Sequence, residues 1–183
     1  MLYIIRHGIT DWNNERRLQG QTDIPLNDEG REMAEQARKE YRNVHFDICF
    51  CSPLARARET AEILLRDRDV PVMYDDRLKE MCFGIYEGAP NTLGVSDAPV
   101  GVFFSSPELY TDPPEGAESI TALMERTGEF IKDRVRPELD AGRDVLIVGH
   151  GAMNSAIVCR IKDRPLSQFW DDGIPNCKLM RLI

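Results

Sequence analysis

The stretch Leu2–Gly8, LYIIRHG, decides the fold reading, because a run of strand-forming residues stops abruptly on a cation, an imidazole and a glycine. A second run, DVLIVGHG at 144–151, ends in the same way on His150 and Gly151. Three further short apolar runs, FDICFCS (46–52), VPVMYD (70–75) and CKLMRLI (177–183), have the length and β-branched or aromatic content of strands. Helical patterns separate them. Residues 27–42, NDEGREMAEQARKEYR, open on a candidate N-cap at Asn27, carry acids in the first turn and bases in the last, and set Met33, Ala34, Ala37 and Tyr41 on one face. PLARARETAEILLR (53–66) places Pro53 at a tolerated first-turn position after Ser52, with Leu54, Ala57, Ala61, Leu64 and Leu65 at helical spacing. Helices are also predicted over 118–139 and 153–162. Strands that feed directly into helices predict an α/β chain with a mostly parallel central sheet covered on both faces.

At 183 residues, with 42% hydrophobic and 30% charged residues, the chain fits one sizeable core, so residues 1–183 are read as a single domain. Between about 88 and 118 the periodicity collapses into Pro, Gly, Ser, Asp and exposed aromatics, the composition of a lid-like or substrate-side insertion. The formal net charge of -8 leaves no basic face for a nucleic-acid backbone or an anionic membrane. No apolar run reaches the ~18 residues of a membrane span, and no signal-peptide pattern opens the chain, which predicts a cytoplasmic protein. Five scattered cysteines without paired spacing read as reduced, buried thiols and not as a zinc site. A homodimer is left open.

In open α/β sheets ligands gather beyond the carboxyl ends of the strands. Two of the three histidines, His7 and His150, fall at predicted strand ends, each followed by a glycine, whereas His45 falls in a polar connection. Gly8 and Gly151 would let backbone N–H groups come close to an anion, as a phosphate cradle requires.

With RHGITDWN (6–13), LQGQTDIPLNDEG (18–30), CSPLARARETA (51–61), EMCFGIYEG (80–88) and VGHG (148–151) in this order, the chain resembles the histidine phosphatase, or phosphoglycerate mutase-like, superfamily. The resemblance implies a three-layer α/β/α sandwich, a phosphohistidine intermediate, and neither metal nor cofactor. It implies His7 as nucleophile, Arg6 and Arg56 as phosphate-binding guanidiniums, His150 as a second imidazole on the phosphoryl group, and Glu80 as the proton donor to the leaving oxygen. It also carries over Thr10 and Asn13 beside the phosphate loop, and Gln19 and Gly20 beside the rest of the substrate. Glu87 is expected to be structural. Ile9 and Ala117 depart from the family's usual acid or amide and glycine, and neither removes a catalytic group.

Residue chemistry agrees with these assignments. Phosphoryl transfer needs positioning and neutralisation of the equatorial oxygens, and planar guanidiniums match phosphate bidentately. Neighbouring cations disfavour a protonated imidazole, so Arg6 both binds phosphate and keeps His7 a free base. A carboxyl at Glu80 is subject to opposite pulls from burial and from the arginines.

The expected partner is a small phosphomonoester. The cofactor-dependent mutases place basic residues after the catalytic glutamate. Here no Lys or Arg occurs from Glu80 to Glu125, where average composition would place about six. A phosphatase is therefore favoured over a mutase, and a non-catalytic phospholigand binder is the third reading. Phe103, Phe104 and Tyr110 in the insertion suggest a neutral or partly apolar leaving group.

Overall fold

Strands buried on both faces build the molecule, with the strand Val145–Gly149 buried at every position. The computed structural model describes residues 1–89 and 99–183; positions 90–98 of the expected insertion lie outside the described residues. Five strands, β1 (Leu2–Arg6), β2 (Ile48–Cys51), β3 (Val72–Tyr74), β4 (Val145–Gly149) and β5 (Leu179–Arg181), form one sheet in the order β3-β2-β4-β1-β5. The first four run parallel, and β5 pairs antiparallel with β1 at one edge. Each strand sits inside its predicted run.

Successive side chains point to opposite faces, so each central strand needs two apolar sets. Leu2, Ile4, Phe50, Val145 and Ile147 meet Leu123, Phe130, Ala156 and Ile157 on one face. Ile5, Cys49, Cys51, Leu146 and Val148 meet Ala34, Ala37, Ala57, Ala61 and Leu64 on the other. The second layer comprises α2 (Asp28–Glu40) and α3 (Ala55–Leu65), with a four-residue α1 (Asp11–Asn14) ahead of them. The first comprises α4 (Pro99–Ser105), α5 (Ile120–Phe130), α6 (Arg136–Asp140) and α7 (Gly151–Lys162), with a π-turn over Ile131–Val135 joining α5 to α6. The result is an α/β/α sandwich.

Caps explain where the helices start. Asn27 Oδ1 accepts the Gly30 N–H at 2.8 Å, as the sequence pattern predicts for α2. The third helix starts two residues after Pro53, at Ala55, and its first N–H goes to Asp23 Oδ1 at 2.7 Å, an acceptor borrowed from a distant loop. The aromatics of the 88–118 segment differ from expectation. Phe103 is fully buried and Tyr110 is 2% exposed, because the segment folds back onto Phe83 and Phe169 instead of standing in solvent.

Candidate active site

Strand order brings the chemistry together. β1 lies beside β4, and β4 beside β2. Residues just past their carboxyl ends are therefore neighbours: His7 N–H bonds Gly149 O at 3.0 Å, and Ser52 N–H bonds Val148 O at 3.0 Å. The His7 and His150 rings come to 5.1 Å between centroids. Arg56, in the first turn of α3, reaches the same point with no exposed surface.

Hydrogen bonding determines which His7 nitrogen is free. Its Nδ1 lies 2.6 Å from the Gly8 carbonyl oxygen, which can only accept, so Nδ1 carries the proton. Arg56 Nε donates to Nε2 at 3.3 Å, as it can only to a lone pair. Burial, with Arg56 and Arg6 alongside, pushes the His7 pKa well below its ordinary value. His150, equally buried, is pushed the same way by burial and then by Arg56. Its Nε2 lies 2.7 Å from Ser52 Oγ.

The guanidinium of Arg56 is aimed by a loop. Nη2 donates to Gly20 O at 2.6 Å and Nη1 to Thr22 O at 2.9 Å. Burial lowers its pKa to about 10, which still leaves a cation at neutral pH. The loop is in turn gripped by Glu87. One oxygen accepts Gln21 N–H at 2.9 Å and Phe83 N–H at 3.0 Å, and the other accepts Thr22 N–H at 2.9 Å and its hydroxyl at 2.6 Å. Gly20 has φ of +54°, and a Cβ there would run into that carboxylate.

Glu80 seats its carboxylate on the first turn of α7. Oε1 accepts Met81 N–H at 2.9 Å and Met153 N–H at 3.0 Å, and Oε2 accepts Ala152 N–H at 3.2 Å. Its backbone oxygen is held by Arg126, which also bonds the Arg77 and Lys79 carbonyls and pairs with Glu118 at 2.6 Å. A side chain at Gly151 would touch Arg6 Cζ at 3.5 Å and Glu80 Oε2 at 3.6 Å, so both groups face that first turn.

Eight of the expected residues, Arg6, His7, Asn13, Gln19, Gly20, Arg56, Glu80 and Gly151, line one cavity of about 230 Å³. Gly8, Thr10 and His150 are buried and are not on its wall. Gly8 does not offer its N–H to an anion; that N–H bonds Thr60 Oγ1 at 3.0 Å, and the missing side chain makes room for the Gly30 carbonyl. Thr10 caps α1, its hydroxyl donating to Gln19 Oε1 at 3.0 Å. His45 is on the surface beside Asp47.

Of the cavity's apolar lining, sequence reasoning found Phe104 and missed Leu18, Phe83 and Trp170; the Phe104 and Trp170 rings stack at 5.7 Å. Trp170 is pinned by its Nε1 donating to Phe103 O at 3.0 Å. Arg17 also lines the cavity, anchored to Gly88 O at 2.7 Å, so a cation enters from outside the 80–125 run. Ser52, inside a quoted motif, reads in sequence only as the residue before Pro53. Trp170 sits in a stretch without periodicity, and no sequence signal marks it. Among the described residues there is no group of three or more potential metal ligands, and no helix is long and apolar enough to cross a membrane.

Known proteins resemble this chain in sequence and fold. Residues 2–183 match the model of the histidine phosphatase superfamily, branch 1. A 2,3-bisphosphoglycerate-dependent phosphoglycerate mutase of Cytophaga hutchinsonii is 32% identical over 170 residues, covering 88% of this chain and 77% of that one. A Bacillus subtilis protein described as an uncharacterized phosphatase, PhoE, is 33% identical over 86% of this chain and 75% of its own. The structure of Bacillus stearothermophilus YhfR superposes with a TM-score of 0.85 at 33% identity, covering 97% of this chain and 88% of that one. The strand-end pair of imidazoles, the buried arginine and the match along almost the whole length converge on one statement: this chain belongs to the histidine phosphatase superfamily.

Proposed function

We propose that the protein is a metal-independent phosphatase that hydrolyses small phosphomonoesters through a phosphohistidine on His7. The observation that carries this reading is the orientation of the His7 ring, with Nδ1–H tied to Gly8 O and the bare Nε2 beside Arg56 at the cavity. The Nε2 lone pair attacks phosphorus while the bond to the leaving oxygen breaks. Arg6 and Arg56 balance charge on the equatorial oxygens, and Glu80 gives the leaving oxygen its proton. In the second half, Glu80 takes a proton from water, whose oxygen attacks phosphorus; the P–N bond breaks, releasing phosphate and neutral His7. The reduced state of all five cysteines suits a cytoplasmic location.

Two features favour a phosphatase over a mutase. Besides the arginines, the cavity is lined by the apolar side chains of Leu18, Phe83, Phe104 and Trp170, which suit a leaving group with an apolar or aromatic portion. The segment from Glu80 to Glu125 supplies no cation for a second anionic group. The mutase reading rests on relatives that carry that name and on Arg17 at the cavity.

Rapid mixing with a 32P-labelled aryl phosphate in the presence of chelator, followed by an alkaline quench, tests the proposal. Acid-labile label on wild type and none on His7→Ala is expected. Unlabelled wild type, turnover by His7→Ala, or activity that chelator abolishes and metal restores would overturn it. Faster isomerisation of 3-phosphoglycerate than phosphate release would give the mutase reading instead.

A further inference from the structure

Ser52 lies just past β2, has no exposed surface, and sits 2.7 Å from His150 Nε2. Its oxygen also accepts the Leu54 N–H at 3.3 Å. On the other side of the imidazole, His150 Nδ1 is buried and has no hydrogen-bond partner among the described residues. The ring that Nδ1 belongs to packs against His7, the site of attack.

A neutral imidazole carries one proton and must place it on one of two nitrogens. With the proton on Nε2, that N–H would donate to Ser52 Oγ, the serine proton would need an acceptor of its own, and Nδ1 would be a buried lone pair beside an anion-binding site. With the proton on Nδ1, the groups close into a consistent chain. Leu54 N–H donates to Ser52 Oγ, Ser52 O–H donates to Nε2, and Nδ1–H is left as a donor waiting for an acceptor. A phosphoryl oxygen is such an acceptor, and a fixed donor aimed where charge develops is an efficient way to stabilise a transition state. The buried, arginine-flanked ring stays neutral near pH 7, so a tautomer choice and not a charge is at stake.

We propose that Ser52 is a positioning residue that sets the tautomer of His150: its hydroxyl donates to Nε2, the ring proton stays on Nδ1, and Nδ1–H is offered to the phosphoryl group in transit at His7. The inference rests on the reading of His7 as the nucleophile. It gives the serine at the end of β2 a part in the reaction although it touches neither substrate nor the attacking atom.

The test is long-range 1H–15N correlation on the 15N-histidine-labelled full chain, with His45→Gln and His7→Ala used to assign the ring signals, combined with phosphomonoester kinetics. In wild type, His150 is expected to show a pyrrole-type Nδ1 and a pyridine-type Nε2. Ser52→Ala should scramble that pattern and lower kcat and kcat/KM together by about tenfold to a hundredfold. Ser52→Thr, which keeps the hydroxyl, should restore both. A pyridine-type Nδ1 in wild type would overturn the proposal, and so would a Ser52→Ala variant that keeps the wild-type pattern and rate. Should Ser52→Ala fail to fold, the wild-type spectrum decides alone. A pyrrole-type Nδ1 in a protein that forms no phosphohistidine would uphold the tautomer and reject the proposed function.

Discussion

Glu87→Gln probes how the site is held together. In the native protein each carboxylate oxygen takes two donors, Gln21 and Phe83 N–H on one side and Thr22 N–H and hydroxyl on the other. An amide can keep only one oxygen. Its better orientation turns the NH2 toward Thr22, whose hydroxyl can rotate to accept, and leaves the Thr22 N–H facing another donor. One half-buried N–H without a partner costs about 1–3 kcal/mol, and loss of the negative charge weakens the remaining bonds by about half. Allowing for partial solvent access, the total is about 3 kcal/mol, or about 6–12 °C in Tm for a chain of this size. The damage has a direction, because Gly20 and Thr22 supply the two carbonyls that aim Arg56. Urea unfolding and steady-state kinetics on an aryl phosphate check both parts, with a kcat loss of about tenfold expected. Stability within ~0.5 kcal/mol of wild type would refute the bond count. Lost stability with unchanged kcat would refute the link from Glu87 through the loop to Arg56.

Three further outcomes follow from the geometry. The pKa of His7 and of His150 is depressed in the fold, so below ~6.5 the unfolded chain takes up protons that the folded chain refuses. Stability should therefore fall as pH drops below ~6.5, by up to about 1.4 kcal/mol per pH unit for each ring, and His7→Gln should flatten that slope in urea titrations at pH 5.5 and 6.5. Trp170→Ala should raise KM for naphthyl phosphate several-fold with kcat little changed, since the stacked wall contacts the leaving group equally in ground and transition states; a fall in kcat alone would contradict that assignment. Gly8→Ala should lower thermal stability by about 1–3 kcal/mol, because the new methyl meets the Gly30 carbonyl and either α2 or the loop after β1 must yield; an unchanged melting curve would disprove the contact.

The strands and most helix starts were legible because their signals are local. LYIIR alternates between two cores, and Asn27 caps the helix it precedes in sequence. The meeting of Arg6, Arg56, Glu80 and the two histidines was legible through the family motifs, with strand-end histidines as the one independent physical hint. What stayed hidden depends on contacts between distant segments. Besides the nearby Phe83 N–H, the donors that make Glu87 a clamp lie 65 and 66 residues away at Thr22 and Gln21. Trp170 is held at the cavity by the carbonyl of Phe103, 67 residues earlier, whose side chain is buried in the core. Phe103 and Tyr110 of the 88–118 segment were misjudged because Gly, Pro and Ser around them mask a short helix that packs Phe103 against Phe83 and Phe169. Ser52 was overlooked because a serine before a proline is satisfied by the bland role of starting a helix.

One environment acts on two kinds of base with opposite consequences for charge. Burial lowers the proton affinity of every cationic group at the strand ends, and the effect on Arg56 is large, bringing it to about 10. A guanidinium starts so far above neutral pH that it remains charged after the loss, whereas an imidazole starts near 6.5 and is driven out of its protonated form. The same dry pocket therefore yields permanent cations for the phosphoryl oxygens and an unprotonated nitrogen to attack phosphorus, with no separate device for either. A lysine at position 56 would start lower, lose charge more readily and match only one of the Gly20 and Thr22 carbonyls, so Arg56→Lys is expected to cost far more in kcat/KM than its conserved formal charge suggests. Retention of wild-type kcat/KM in that variant would show that the pocket needs only a point charge, and neither the fork geometry nor the high starting pKa of a guanidinium would then explain why an arginine is buried beside His7.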